Sequence, residues 1–171
     1  TLIRIGNLAA ERDESYKELI NGLQNRHHDI IRDFLPREKQ EESLEVCDSL
    51  FDSLRSISQG VYLLGELSPA SLDAIQSYGE LWSTKILATK LASIGIATKW
   101  IDSRQIIRTV AKGDKNIVDV QKTYARVNEM LESNPITQLF VLPGFIASDK
   151  QGRTTTLGRG GSDYTASLYA V

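Results

Sequence analysis

The chain has 171 residues, a net charge of −2, 41% hydrophobic and 25% charged residues, a balance that suits one soluble globular domain with a real core. So small a charge gives no electrostatic pull toward nucleic acid or an anionic membrane, and no apolar run approaches the roughly 20 residues that span a bilayer. The single cysteine, Cys47, has no partner in the chain for a disulfide, which fits a reducing cytoplasm.

From about Leu8 to Leu35, Tyr16, Leu19, Ile20, Leu23, Ile30, Ile31 and Phe34 recur at helical spacing and predict one amphipathic helix, ended by Pro36. A second helix follows, with Cys47, Leu50, Phe51, Leu54, Ile57, Val61 and Leu64 on one stripe. A third starts at Ser68-Pro69, an N-cap followed by proline in the first turn. It turns Leu72, Ile75, Trp82, Ile86 and Leu91 inward and stops near Gly95. The period then changes. Ile96 to Ile101 reads as a short strand ending at Asp102, and Asp119 to Ser133 as a helix. Leu139 to Leu142 reads as a fully buried strand. Lys150 to Arg153 is a hairpin turn with Thr154 to Leu157 as the return strand. A last helix begins at Ser162 or Asp163. Helices first, then strands interleaved with helices, predict an α/β fold with a helical flank.

The stretch that carries chemistry is Leu157-Gly158-Arg159-Gly160-Gly161-Ser162-Asp163-Tyr164-Thr165-Ala166. Glycines let a backbone take positive φ and approach a ligand. Successive amides leading into a helix N-terminus form an anion-binding concavity, so Gly158, Gly160 and Gly161 are candidates for an anion-binding loop. Arg159 adds a planar fork that can hold a carboxylate or phosphate by two hydrogen bonds. The same residues also admit a plainer reading: a tight turn with Ser162 as helix cap, Asp163 favoured by the helix dipole and Arg159 solvated. Glu80, at the edge of the buried stripe of the third helix, can bind an amine or serve as a salt-bridge residue at the core border.

Gly144-Phe145-Ile146 followed by Arg153 to Ala166, together with Ser77-Tyr78-Gly79-Glu80 and Tyr62 to Pro69, closely resembles the aspartokinase family, including kinases fused to homoserine dehydrogenase. The resemblance spans essentially the whole chain. It implies a three-layer αβα sandwich of the amino-acid-kinase type around a largely parallel sheet. It also implies transfer of the ATP γ-phosphoryl to the β-carboxylate of L-aspartate, which gives 4-phospho-L-aspartate and opens the route to lysine, threonine and methionine. By that resemblance Glu80 contacts the substrate ammonium, Arg159 grips a substrate carboxylate, Phe145 and Ser162 line the aspartate pocket, and Asp163 sits close to the reacting groups. ATP and Mg²⁺ are the implied co-substrate and metal, and a homo-oligomer is the implied assembly.

The family's opening Lys-Phe-Gly-Gly strand, its adenine-binding segment and its ACT domains have no counterpart in this sequence. Thr1 is not an initiator methionine, and Leu168 to Val171 is an uncapped apolar run. Residues 1–171 therefore read as the amino-acid-binding half of a catalytic domain, with little kinase activity expected alone. No protein-held metal site is predicted: His27 and His28 lack a second ligand pair. Cys47 reads as an inert core thiol, Asp102 as a loop cap, and Glu38 to Glu45 as a solvated helix face. The alternatives are another kinase of the same fold, acting on glutamate, acetylglutamate, carbamate or a nucleotide, and a non-catalytic helical interaction module.

Overall fold

The computed structural model describes residues 1–113 and 115–170; Val171, the end of the closing apolar run, lies outside them. Four helices come first: α1 (Leu2–Ala10), α2 (Ser15–Phe34), α3 (Arg37–Leu64) and α4 (Pro69–Ser93). They surround one apolar core in which Ile5, Ile20, Ile31, Phe51, Leu54 and Ile75 are wholly buried. At its centre Phe51 and Trp82 stack with ring centroids 4.0 Å apart, and His27 meets the Phe51 ring edge-on. The α4 start is as the sequence predicts: the Ser71 amide donates to Ser68 Oγ at 3.1 Å, with Pro69 behind it.

The single helix expected from Leu8 to Leu35 is two. The chain breaks between Ala10 and Ser15, where Arg12 takes φ +58°. The break is held locally by the Asp13 carboxylate, which accepts the Ser15 amide at 2.9 Å. It is held at long range by Arg12, whose guanidinium packs over Gly65, the left-handed C-cap of α3. Ile30 and Phe34, expected to face inward, are about two-fifths exposed, because they line an open cleft with Ser83, Ile86 and Leu87 of α4, where Lys90 covers the Phe34 ring.

Among the described residues the second half holds six short strands and three helices: β1 (Thr98–Trp100), α5 (Ser103–Ile106), β2 (Thr109–Lys112), β3 (Lys115–Val118), α6 (Val120–Glu132), β4 (Leu139–Val141), β5 (Ile146–Ser148), β6 (Thr154–Thr156) and α7 (Gly161–Tyr169). The strands form three two-stranded ladders. β1 and β4 run parallel, with Thr98 opposite Leu139, whereas β2–β3 and β5–β6 are antiparallel hairpins. An Arg108–Ser148 bridge ties the start of β2 to β5. Leu139, expected inside a fully buried strand, is 38% exposed, since β4 has β1 on one side and no second strand partner among the described residues. α7 begins at Gly161 with Gly160 as its N-cap, so Ser162 is not the cap. Asp102 does cap: it accepts the Arg104 amide at 3.0 Å and pairs with the Arg104 guanidinium at 2.6 Å. Among the described residues no helix is long and apolar enough to cross a membrane.

Candidate active site

Two elements from opposite halves meet at the site. α4 supplies Asp73 and, seven residues on, Glu80. That spacing is two helical turns, so both lie on one face about 10 Å apart along the axis. Asp73 clamps β6: its carboxylate accepts Thr156 Oγ1 at 2.7 Å and the Thr156 amide at 3.2 Å. Burial holds the Asp73 carboxyl above the usual carboxylate range, against the opposing pull of both Thr156 hydrogen bonds. The clamp fixes where β6 ends, and the glycine-arginine turn starts two residues later.

Glu80 is half-buried and opens on a cleft of about 370 Å³ that it shares with Phe145, His27, Gln76 and Trp82. Burial alone pushes its carboxyl upward, as expected of a charge taken from water without a counter-charge. Among the described residues it forms no ion pair. Such a group is suited to a cation that arrives from solution. The His27 ring donates from Nδ1 to the Leu23 carbonyl at 2.7 Å, leaving Nε2 as an acceptor, and burial keeps the imidazole below its ordinary pKa.

Phe145 joins the cleft to the glycine turn. It holds φ +69°, a left-handed backbone rare for a bulky residue. Its amide donates to Thr165 Oγ1 at 3.1 Å, and its carbonyl accepts the Leu157 amide at 2.9 Å. A Cβ on Gly161 would lie 3.1 Å from the Phe145 ring and 3.0 Å from Leu157 Cβ, while one on Gly144 would lie 3.2 Å from Ser162 Cα. Glycine at both positions lets the strand and the α7 N-terminus approach this closely. Beyond that contact, Gly158 and Gly160 take φ +71° and +75° and hold Arg159 between them.

Of the residues singled out from sequence, Glu80 and Phe145 therefore share one cleft, and Ser162 and Gly161 touch the Phe145 segment directly. Gly158, Arg159 and Gly160 stand on the exposed turn and Asp163 in the first turn of α7, all outside the cleft lining. Arg159 is in no ion pair among the described residues, and no side chain caps the α7 N-terminus, so the turn offers unclaimed donors. Asp73 and Gln76 carry no motif in the sequence, and His27 reads there only as a histidine without a metal-ligand partner. The seven-residue spacing from Asp73 to Glu80 was the signal available for the first. Among the described residues no three His, Cys, Asp or Glu side chains converge as a metal site would require.

Helices packed on short ladders, a glycine-arginine turn that leads into a helix and a half-buried acid opening on the Phe145 cleft make up the site. The Amino acid kinase family profile matches residues 7–171, and the chain belongs to that family. Its relatives within the family are aspartokinases. It is 29% identical over 162 residues to the chloroplastic bifunctional aspartokinase/homoserine dehydrogenase 2 of Arabidopsis thaliana, covering 94% of this chain and 18% of that protein. It is 33% identical over 134 residues to lysine-sensitive aspartokinase 3 of Escherichia coli (strain K12), covering 75% of this chain and 30% of the relative. The crystal structure of E. coli aspartokinase III in complex with lysine and aspartate superposes with a TM-score of 0.85 at 28% identity, over 99% of this chain and 38% of that one. The same enzyme in complex with aspartate and ADP gives 0.82. The fold is thus the mixed α/β fold of the aspartokinases, and the chain spans between 18% and 38% of the length of these relatives.

Proposed function

We propose that this chain forms the amino-acid-binding part of an aspartate kinase catalytic domain, which transfers the ATP γ-phosphoryl to the β-carboxylate of L-aspartate. The observation that carries the reading is the half-buried Glu80 carboxylate, without an ion-pair partner among the described residues, in a cleft whose Phe145 wall packs against Gly161 of the glycine-arginine turn. An amino acid offers the complementary set: an ammonium for Glu80 and a carboxylate for Arg159.

The attacking β-carboxylate is already ionised at pH 7, its free pKa being about 3.9, so no general base is needed. Catalysis then rests on alignment and on charge neutralisation at the transferring phosphoryl. Glu80 holds the ammonium, Phe145 and Ser162 shape the pocket, and Arg159 grips the α-carboxylate so that the β-carboxylate faces the donor. The amides of Gly160, Gly161 and Ser162 at the α7 N-terminus supply positive potential, with Asp163 beside the reacting groups. Among the described residues no three acidic, histidine or cysteine side chains converge where magnesium could sit. The lone, buried Cys47 supports a reducing compartment, the cytoplasm, and the family resemblance supports a homo-oligomer, which light scattering would read.

Aspartate-dependent ADP release by the whole enzyme tests the reading, run beside glutamate, acetylglutamate, carbamate and nucleoside monophosphates. Activity with one of the others and none with aspartate would overturn it. Arg159→Ala is expected to cost about 2–5 kcal/mol in aspartate binding, seen chiefly as a raised KM, with stability changed by less than about 0.5 kcal/mol.

A further inference from the structure

Trp82 has a cleft on each side. Beyond it from Glu80 lies a second cavity of about 280 Å³, walled by α3, α4 and β1. Its lining is mainly apolar, with Trp82, Ile86, Leu50 and Cys47 on one side and Trp100 on the other. Lys85 stands in this wall with its Nζ 3.7 Å from the centroid of the Trp100 ring. It is half-buried and forms no ion pair among the described residues. Burial holds its ammonium below the ordinary lysine range, with the Asp102 carboxylate pulling the other way and the Arg104 guanidinium adding to the lowering. Lys39, which also reaches the cavity, is tied at 3.8 Å to Glu42, an exposed acid at the same rim.

Trp100 cannot swing aside freely, because its Nε1 donates to Thr84 Oγ1 at 2.9 Å. The cation–π pair is thereby fixed in place. An ammonium partly stripped of water, whose one close counter-group is an aromatic face, still has N–H donors to satisfy. Trp82, which stands in the same wall and also in that of the Glu80 cleft, has a buried Nε1 with no partner among the described residues. A core built for packing alone avoids both features. A volume near the lower end of ligand pockets, about 300 Å³, excludes a nucleotide and admits a molecule of a few carbons.

We infer that this cavity is a second ligand site, separate from the Glu80 cleft, for a small monocarboxylate with a branched aliphatic or aromatic tail. The carboxylate meets Lys85, and the tail lies against Trp82, Ile86 and Leu50. The inference stands apart from the kinase reading and survives its failure.

Both tryptophans of the chain, Trp82 and Trp100, line the cavity, so intrinsic fluorescence reports its occupancy directly. The chain is titrated with 4-methylpentanoate and, separately, with uncharged 4-methylpentanamide. A saturable change is expected with the carboxylate, with affinity at least tenfold weaker for the amide. Lys85→Met, with its fold checked by circular dichroism, brings the carboxylate down to the amide's affinity, and Lys85→Arg restores most of the difference. Should Lys85→Met not fold, Ala92→Phe on the exposed rim fills the cavity and is expected to weaken binding of the carboxylate at least tenfold. Glu80→Gln leaves the titration unchanged. A flat titration, equal affinities for acid and amide, indifference to both Lys85→Met and Ala92→Phe, or loss on Glu80→Gln would each overturn the inference.

Discussion

Residues 1–93 and residues 98–170 hold themselves together by different means. The helical half buries large apolar side chains around the Phe51–Trp82 stack in one continuous core. The strand-bearing half has two small apolar clusters, one around Ile106, Val127 and Met130 and one around Ile107, Ala147 and Leu168. Much of its interior is polar: Ser103, Thr109, Thr123, Ser148, Asp149, Thr155 and Thr165 are buried and hydrogen-bonded, as in the Thr109–Thr155 hydroxyl pair at 2.9 Å. Apolar packing is non-directional and tolerant, whereas hydrogen bonds fix angles and registers. One half gives the Glu80 cleft a firm wall, and the other fixes the backbone that runs from Phe145 against Gly161 of the α7 N-terminus. The acid comes from the first half and the donors from the second.

The sharpest way to break this contrast is at the stack. Phe51→Ala should cost about 3–5 kcal/mol, read as a shift of the whole urea transition; a loss confined to a few tenths of a kcal/mol would mean the helical half is not the stable one. Next comes the seam. Asp73→Ala leaves the two Thr156 donors unanswered and should cost about 1–3 kcal/mol. Amide exchange should speed up in β5 and β6 while α2 and α3 stay protected. Asp73→Asn, which keeps an acceptor and sheds the charge that burial penalises, should retain most of the clamp. The smallest effect has the opposite sign. Burial raises the Glu80 carboxyl above its unfolded value, so its contribution to stability is fully present below the ordinary carboxylate range and lost as pH rises through the raised folded value. Glu80→Gln should therefore melt slightly higher than the parent at pH 7, with the gap closing in acid, while aspartate binding is lost. Equal melting temperatures at pH 7 would show the carboxylate to be better solvated than its cleft implies.

The sequence is most legible where the determinants are local. Ser68-Pro69 announces α4, the stripe from Cys47 to Leu64 announces α3 although Leu64 at its end is exposed, and Lys150 to Arg153 announces the β5–β6 turn, which the Asp149 carboxylate closes by accepting the Gln151 and Arg153 amides. The break at Arg12 was illegible because helical periodicity runs straight across it, and the Arg12 side chain that fills the corner packs against Gly65. The β2–β3 hairpin was missed for a different reason. Apart from Thr109 and Val118 its strand residues are exposed, so no inside-outside alternation was there to read. Within the site, Glu80 and the glycine-arginine turn stand out as sequence motifs. Asp73 does not, because its partner Thr156 lies 83 residues away and the pair has meaning only once α4 and β6 are side by side.

The backbone at Phe145 bears on how this protein would change under selection. A non-glycine residue held at φ +69° forgoes something on the order of 1–3 kcal/mol, and glycine would recover it while leaving the Thr165 and Leu157 hydrogen bonds, which use only main-chain atoms, untouched. A library screened for heat tolerance alone should therefore admit glycine or asparagine at position 145. One screened for turnover should keep the ring, which forms a wall of the Glu80 cleft and a bearing for Gly161. Sorting the two pools would show which demand the strain serves.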